Sequence, residues 1–183
     1  LSIIDMSEKA SQPMEDIGKR AVITYNGEIY NYSVLKHELQ QIGSLFYSES
    51  DTEVIINGYL QWGIEKLLEK LDGMFAFVLY DKTVNIAYAC RDRFGKKPLY
   101  YFYNHQKFSF SSDIRSIWTT ESNLTLDYES LDYYLTELSV PQPKTIWHEI
   151  KQTRPAHYIK IDIGNASITD NCYWKLDFTK ILQ

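Results

Sequence analysis

The sequence has 183 residues, of which 44% are hydrophobic and 23% are charged, and its formal net charge is -5. These values are typical of one globular domain with a buried core, and they exclude a disordered or fibrous chain. The acidic balance would repel a phosphate backbone, and no cluster of Lys and Arg reverses it locally, so nucleic acid is not expected as a partner.

Membrane and metal partners are not expected either. No apolar run approaches the length of a membrane span, and the start lacks the basic flank of a signal peptide, so we expect a cytoplasmic protein. Cys90 and Cys172 are far apart in sequence, which argues against a disulfide framework, and both are expected to be buried structural thiols. The four histidines show no metal-ligand spacing.

The first part of the chain predicts a strand followed by helices. Residues 21–25 are apolar and β-branched, and they predict a strand that ends in a sharp turn with positive φ at Asn26-Gly27. Apolar spacing and capping signals predict helices over 33–42 with a cap at Gly43, from a capping box at 50–53 onward, and over 64–71.

The middle of the chain changes to short runs rich in Phe, Tyr, Val and Ala, which are typical of antiparallel strands. These runs are 74–80, 85–91, 99–103 and 107–111. The first is apolar at nearly every position, so we expect both of its faces to be covered. Helices over 113–119 and 127–138 and a hairpin of 158–163 with 167–174 are predicted next. Strands and helices in separate blocks indicate an α+β fold.

Asn26-Gly27-Glu28 and Asp51 are the first candidates for a functional site. A turn after a strand can aim a side-chain amide and a backbone N–H at one point, as in an oxyanion hole, although the dipeptide alone favours an ordinary β-turn. Asp51 is either a first-turn helix carboxylate, which its position alone favours, or an anchor for a ligand amine.

Four longer strings, taken in order and spacing, bear on these alternatives. They are AVITYNGEIYN at 21–31, SDTEV at 50–54, LDGMFAF at 71–77 and RDRFGKKPLYY at 91–101. Together they resemble the class II glutamine amidotransferase domain of asparagine synthetases, truncated at both ends. On this resemblance residues 1–176 are the amidotransferase domain without its amino-terminal segment, and residues 177–183 begin a linker to an absent synthetase domain.

The resemblance implies an N-terminal-nucleophile hydrolase fold, a four-layer αββα sandwich of two antiparallel sheets, with its first strands missing from this chain. In that family an amino-terminal cysteine attacks the side-chain amide of glutamine, and its own α-amine acts as the base. Asn26 and Gly27 match the family's oxyanion hole. The positions that match its glutamine-binding residues are Leu1, Ser2, Ile3, Ile4, Glu28 and Asp51.

The chain departs from the family pattern at both ends. No cysteine stands at the amino terminus, and neither Cys90 nor Cys172 has a free α-amine, so we expect no nucleophile and no turnover in this polypeptide. The family's phosphate-binding Ser-Gly-Gly-x-Asp-Ser string does not occur, so ATP and magnesium are expected only in the absent synthetase domain. A smaller departure is Arg-Pro-Ala-His at 154–157, where the family tends to have Pro-Gly.

The implied function is hydrolysis of glutamine to glutamate and ammonia, for ATP-dependent amidation of aspartate in the parent enzyme. The expected partners are glutamine and the parent's own synthetase domain, and a homodimer is left open. One alternative is an amidotransferase with another acceptor, such as a sugar or antibiotic precursor. The other is a non-catalytic binding module, which the missing nucleophile favours and the retained oxyanion donors oppose.

Overall fold

The computed structural model describes residues 8–104 and 106–177. The strands in this part of the chain are β1 (Met14–Glu15), β2 (Ala21–Ile29), β3 (Gly73–Asp81), β4 (Ile86–Arg91), β5 (Tyr100–Asn104), β6 (Lys107–Ser111), β7 (Ile150–Gln152), β8 (His157–Asp162) and β9 (Ser167–Cys172). The helices are a short 3-10 helix (Glu8–Ala10), α1 (Tyr32–Gln41), α2 (Asp51–Lys70), α3 (Ile114–Trp118) and α4 (Tyr128–Glu137).

The strands form two antiparallel sheets. One has six strands in the order β1-β2-β3-β4-β8-β9, and the other has three in the order β6-β5-β7. The α+β class is therefore confirmed. The existence of further strands before Leu1 stays a prediction.

Three groups of buried apolar side chains define four layers. The first group joins α1 and α2 to one face of the six-stranded sheet. The second lies between the two sheets and includes Ala76, Ala89, Leu99 and Ile159. The third joins α3 to the outer face of the small sheet, around Phe102. The layers run helix, sheet, sheet, helix, as the αββα expectation requires.

Strand β3 is covered on both faces, as its continuous apolar sequence predicts. Phe75, Phe77 and Leu79 pack towards the helices, whereas Ala76 and Val78 pack between the sheets. Side chains alternate across a strand, so a strand with two buried faces needs apolar residues at every position. β3 is the central element against which β2 is aligned.

The helices begin where the capping signals place them. Ser50 is the N-cap of α2, and its hydroxyl accepts from the Thr52 N–H at 3.1 Å. The capping box is incomplete, because the Glu53 carboxylate accepts from the Tyr47 and Ser48 backbone N–H groups instead. The two helices predicted after residue 50 are the two helical segments of α2, which meet at a kink at Gly63, where φ is a non-helical 76°.

Two short strands were missed and one predicted burial is wrong. β1 and β7 have only two and three residues, too short for a periodic signal, and neither was predicted. Cys90 is buried, but Cys172 is exposed because β9 forms the edge of its sheet.

Helix α4 lies on the protein surface with apolar side chains turned outward. Leu135 is 70% exposed and Leu138 is 80% exposed, although their spacing is typical of a buried helix face. Ser130 is the buried residue of this helix. The amphipathic pattern was therefore predicted correctly, but the apolar face is not covered within the described part of the chain.

The buried Arg91 links the two sheets through the loops between them. Its guanidinium donates to the carbonyl oxygens of Gly95, Lys97 and Thr153 and to Oε1 of Gln142, at 2.6–3.0 Å. Burial lowers the pKa of Arg91 from its ordinary value.

In the ranges 8–104 and 106–177, no helix is both long and apolar enough to cross a membrane.

Candidate functional site

Strand β2 runs straight through Asn26 and Gly27. The prediction of a sharp turn there is wrong, because both residues continue the register with β3, opposite Ala76 and Phe75 respectively. Gly27 is not among the residues with positive φ. Pairing along nine residues of β2 outweighs the turn preference of an Asn-Gly dipeptide.

Gly27 is needed for close contact between strands rather than for a turn. A Cβ at this position would lie 2.2 Å from the Met74 carbonyl oxygen and 2.7 Å from Phe75 Cα. Gly73 on the opposing strand is equally tight, since a Cβ there would lie 2.3 Å from the Glu28 oxygen. The two strands therefore approach each other closely where the candidate residues lie.

The backbone N–H of Gly27 points to the open edge of β2. Antiparallel strands bond through alternate residues, and the bonds from Tyr30 N to Asp72 O and from Lys82 N to Arg20 O assign the even positions of β2 to β3. The backbone N–H groups of the odd positions therefore point away from β3, towards the opposite edge of β2. Tyr25 N–H donates to Gln12 Oε1 at 2.6 Å and Ile29 N–H donates to Asp51 Oδ2 at 3.1 Å.

Gly27 lies between those two edge donors. Its N–H shares their direction, and no acceptor meets it within the described ranges. β1 covers the edge of β2 only opposite Val22 and Ile23. The result is a half-buried backbone donor without an acceptor in the described ranges, flanked by two donors that side chains already satisfy.

Asp51 reaches the same edge from the start of α2. It is buried, with 6% of its surface exposed. Its Oδ2 accepts from the Tyr25 hydroxyl at 2.7 Å and from the Ile29 N–H at 3.1 Å. Asp51 is therefore both a first-turn helix carboxylate and part of the β2 edge, so the two sequence interpretations are compatible.

The electrostatic potential around the Tyr25 hydroxyl is negative. Burial raises the pKa of Tyr25 well above its ordinary value, and the charge of Asp51 and the hydrogen bond to it raise that pKa further. The charge of Glu28 acts in the same direction. The charges of Asp51 and Glu28 thus make the electrostatic potential at the Tyr25 hydroxyl negative, which favours a cationic group nearby.

The Asn26 side chain projects from the other face of β2, which is turned away from α2 and towards the small sheet. This side chain is solvent exposed, and Nδ2 donates to the Ser112 hydroxyl at 3.2 Å. It lines a cleft of about 210 Å³, together with Ala76, Val78, Leu99 and Phe110. Glu28 is half-buried and shares this face by strand alternation.

The predicted residues are therefore only partly brought together. The Gly27 N–H and the Asp51 carboxylate lie at the open edge of β2. The side chains of Asn26 and Glu28 project from the face of β2 that is turned towards the small sheet. Leu1, Ser2, Ile3 and Ile4 lie outside the described residues.

Three contacting residues were not foreseen from the sequence. Tyr25 holds Asp51, Gln12 caps the Tyr25 N–H, and Ser112 meets the Asn26 amide. Strand alternation alone places Tyr25 on the helix side of β2, so its contact with that layer could have been anticipated. No local pattern signals Gln12 or Ser112.

Neither cysteine lies in this region. Cys90 is buried in β4, and burial raises its pKa well above the ordinary value. Cys172 is exposed in β9, and its Sγ donates to the Trp174 carbonyl oxygen at 3.2 Å. Among the described residues, no group of three or more His, Cys, Asp or Glu side chains could hold a metal ion.

Comparison with known sequences is consistent with this arrangement. The family described as glutamine amidotransferase domain matches residues 1–174. The glutamine-hydrolyzing asparagine synthetase 1 of Bacillus subtilis is 36% identical over 181 residues, which is 99% of this chain and 28% of the relative. A putative glutamine-hydrolyzing asparagine synthetase 2 of Methanocaldococcus jannaschii is 30% identical over 193 residues, covering 96% of this chain and 37% of the relative.

The chain thus spans 28% and 37% of the length of these two curated relatives. Among solved structures, the glutamine phosphoribosylpyrophosphate amidotransferase of B. subtilis, complexed with ADP and GMP, matches with a TM-score of 0.63. It is 16% identical and covers 93% of this chain and 33% of that one, so this likeness concerns the fold. The fold expected from the family resemblance is confirmed by this match, and the chain belongs to the family of glutamine amidotransferase domains.

Proposed function

We propose that this chain is the glutamine-hydrolysing domain of an asparagine synthetase, and that it binds glutamine along the open edge of β2. One observation carries the proposal. The unmet N–H of Gly27 lies at the same edge of β2 as the buried carboxylate of Asp51, which accepts from the Ile29 N–H two residues further along the strand. A backbone donor suits the substrate's side-chain carbonyl, and a carboxylate suits its α-ammonium.

The spacing supports a ligand of this length. Gly27 N and Ile29 N are about 7 Å apart at a strand rise of about 3.4 Å per residue. Four bonds separate the side-chain carbonyl carbon of glutamine from its α-nitrogen, an extended span of about 5 Å at bond lengths of about 1.5 Å. Glutamine lying parallel to β2 can therefore reach both groups at its two ends.

The reaction assigned to this site is acyl transfer to a thiol. The sulfur of an amino-terminal cysteine, supplied by the segment that precedes Leu1 in the parent protein, attacks the amide carbonyl while its α-amine takes the proton. Gly27 N–H and the Asn26 amide stabilise the oxyanion that forms. Ammonia leaves with the proton, and water then hydrolyses the γ-glutamyl thioester to glutamate. The Asn26 amide carries two N–H groups, so it can donate to the oxyanion with the one that is not bonded to Ser112.

We extend the proposal to the parent protein. The names of the relatives suggest asparagine as the product of the parent protein. In the proposed reaction, ammonia passes to a second domain that binds ATP and magnesium and amidates aspartate. A homodimer stays a prediction. An amidotransferase with a different acceptor would share the site described here, and the neighbouring domain would tell the two apart.

Steady-state kinetics of glutamine hydrolysis in the full-length protein test the two roles separately. Asn26→Ala should lower kcat by roughly 10²- to 10³-fold, the usual effect of losing one oxyanion donor, with a smaller change in KM. Asp51→Asn should raise KM by roughly 10- to 100-fold, the value of a hydrogen bond to a charged group, with a smaller change in kcat.

Asp81→Asn is the matched control, because Asp81 is also a buried carboxylate that accepts from a tyrosine hydroxyl. It should leave both kinetic constants near the wild-type values. Equal changes in kcat and KM for Asn26→Ala, or an unchanged KM for Asp51→Asn, would refute the assigned roles. Full-length protein with no glutaminase activity would overturn the proposal.

We further propose that the 183 residues alone have no turnover. Cys90 is inaccessible and Cys172 lies in a strand, so neither offers both a thiolate and a free α-amine. Release of ammonia from glutamine by this polypeptide, above a buffer control, would contradict this part of the proposal.

A further inference from the structure

We propose that Tyr25 is a positioning residue for glutamine binding: its hydroxyl holds the Asp51 carboxylate so that Oδ1 faces the ligand's α-ammonium. This inference rests on the proposed function. It adds a residue that neither contacts the substrate nor takes part in the chemistry, but that sets the affinity through Asp51.

The two oxygens of Asp51 have different surroundings. Oδ2 accepts two hydrogen bonds, from the Tyr25 hydroxyl at 2.7 Å and from the Ile29 N–H at 3.1 Å. Oδ1 has no donor within the described ranges. An ionised carboxylate can accept at both oxygens, so Oδ1 is the one left to receive an ammonium.

Two donors on one oxygen restrict rotation of the carboxylate. The Ile29 N–H is fixed by β2, whereas the Tyr25 hydroxyl reaches Oδ2 from the ring packed against the helix-side core. With only the Ile29 bond left, the carboxyl group can turn about its terminal torsion, which has a broad energy minimum. The Tyr25 hydroxyl therefore holds the Asp51 carboxylate in one orientation, with Oδ1 towards the ligand.

The hydroxyl stays a donor over the physiological pH range. Burial and the neighbouring Asp51 charge both raise the pKa of Tyr25 above its ordinary value. Because the Tyr25 hydroxyl keeps its proton, it can donate to the Asp51 carboxylate throughout this pH range. The contact is thus a fixed part of the site rather than a switch.

The chain contains a matched pair remote from the site. Tyr59 donates its hydroxyl to Asp81 Oδ2 at 2.7 Å, and Asp81 is also buried. Asp81 pairs with Ala21, six residues along β2 from Gly27, which is roughly 20 Å at a rise of about 3.4 Å per residue. Tyr59→Phe removes the same kind of bond and leaves the β2 edge intact.

The experiment compares Tyr25→Phe with Tyr59→Phe in the full-length protein. The measured quantities are kcat and KM for L-glutamine, and the inhibition constant of glutaramate, which keeps the amide and the carboxylate but lacks the α-amine. For Tyr25→Phe we expect KM to rise about tenfold, as for a hydrogen bond to a charged group, and kcat to stay within about twofold.

Glutaramate gives the readout that a merely structural role would not move. Its inhibition constant should stay within about threefold in Tyr25→Phe, since it has no ammonium for Asp51 to bind. Tyr59→Phe should leave all three constants unchanged, while both variants lower the unfolding temperature to a similar extent. Rescue of KM by Tyr25→Trp is not expected, because its N–H lies elsewhere on the ring.

The outcomes separate this inference from the proposed function. If Asp51→Asn raises KM but Tyr25→Phe does not, Tyr25 has no positioning role and the glutamine site stands. If Tyr25→Phe weakens glutamine and glutaramate equally, its effect is general damage and the inference is wrong. If Asp51→Asn itself leaves KM unchanged, the proposed function fails, and this inference fails with it.

Discussion

Replacement of Gly27 by alanine tests the close contact between β2 and β3. The added Cβ would lie 2.2 Å from the Met74 carbonyl oxygen, against an ordinary contact of about 3.5 Å, so the strands must separate locally by more than about 1 Å. Both nearest atoms belong to the backbone of β3, and no side-chain rotation can relieve the overlap. The substitution therefore acts on strand pairing itself.

The expected loss of stability follows from three contributions. Overpacking costs about 1–3 kcal/mol. Weakening one or two ladder hydrogen bonds costs about 0.5–1.5 kcal/mol each. Alanine restricts the unfolded chain, which returns about 0.4–1 kcal/mol. The net loss is roughly 0.5–5.5 kcal/mol, and its midpoint of about 3 kcal/mol corresponds to roughly 6–12 °C in unfolding temperature for a domain of this size.

Urea and thermal unfolding followed by circular dichroism measure this difference. Gly164→Ala is the matched control, because its Cβ would meet no atom closer than 3.5 Å and its φ is not positive. That variant should unfold within about 0.5 kcal/mol of wild type, as for a surface substitution. A Gly27→Ala protein as stable as Gly164→Ala would refute the close approach of β2 and β3.

Three further predictions concern other parts of the fold. Ala156 has φ of 60°, so Ala156→Val should lose at least about 2 kcal/mol in urea unfolding, since a β-branched residue is strained there. Arg91→Lys should lose about 3 kcal/mol or more, because an ammonium cannot replace four guanidinium hydrogen bonds, whereas Arg115→Lys on the surface should change little. A thiol reagent should label Cys172 rapidly and the buried Cys90 only on unfolding, and fast labelling of both would contradict the burial of Cys90.

Much of the fold could be predicted because its signals are local. The continuous apolar run at β3 indicated two covered faces, and the Ser50 cap indicated the start of α2. The separation of strands and helices into blocks was enough for the α+β class. The four-layer arrangement came from the family resemblance, because periodicity does not state which sheet faces which.

The errors arise where tertiary contacts decide the conformation. Asn26-Gly27 has a strong turn preference, but its pairing with β3 keeps it extended. Glu53 was expected to close a capping box, yet it accepts from the loop at Tyr47 and Ser48 instead. Such long-range partners leave no pattern in neighbouring residues.

In the candidate site, too, some residues could be identified from the sequence, whereas their long-range contacts could not. Asn26, Gly27 and Asp51 were identified from the resemblance, and the alternating directions of β2 separate the Asn26 side chain from the Gly27 N–H. The contacts of Tyr25, Gln12 and Ser112 depend on elements that are distant in sequence, so no spacing could reveal them.

The outward-facing α4 has a consequence for the native ensemble. With Leu135 and Leu138 in solvent, opening this helix would expose little additional apolar surface, so it costs less free energy than opening α2, whose residues contribute to the main core. Amide hydrogens of α4 would then exchange with solvent through local opening, well before the rest of the domain unfolds. A binding partner that covered Leu135 and Leu138 would slow that exchange.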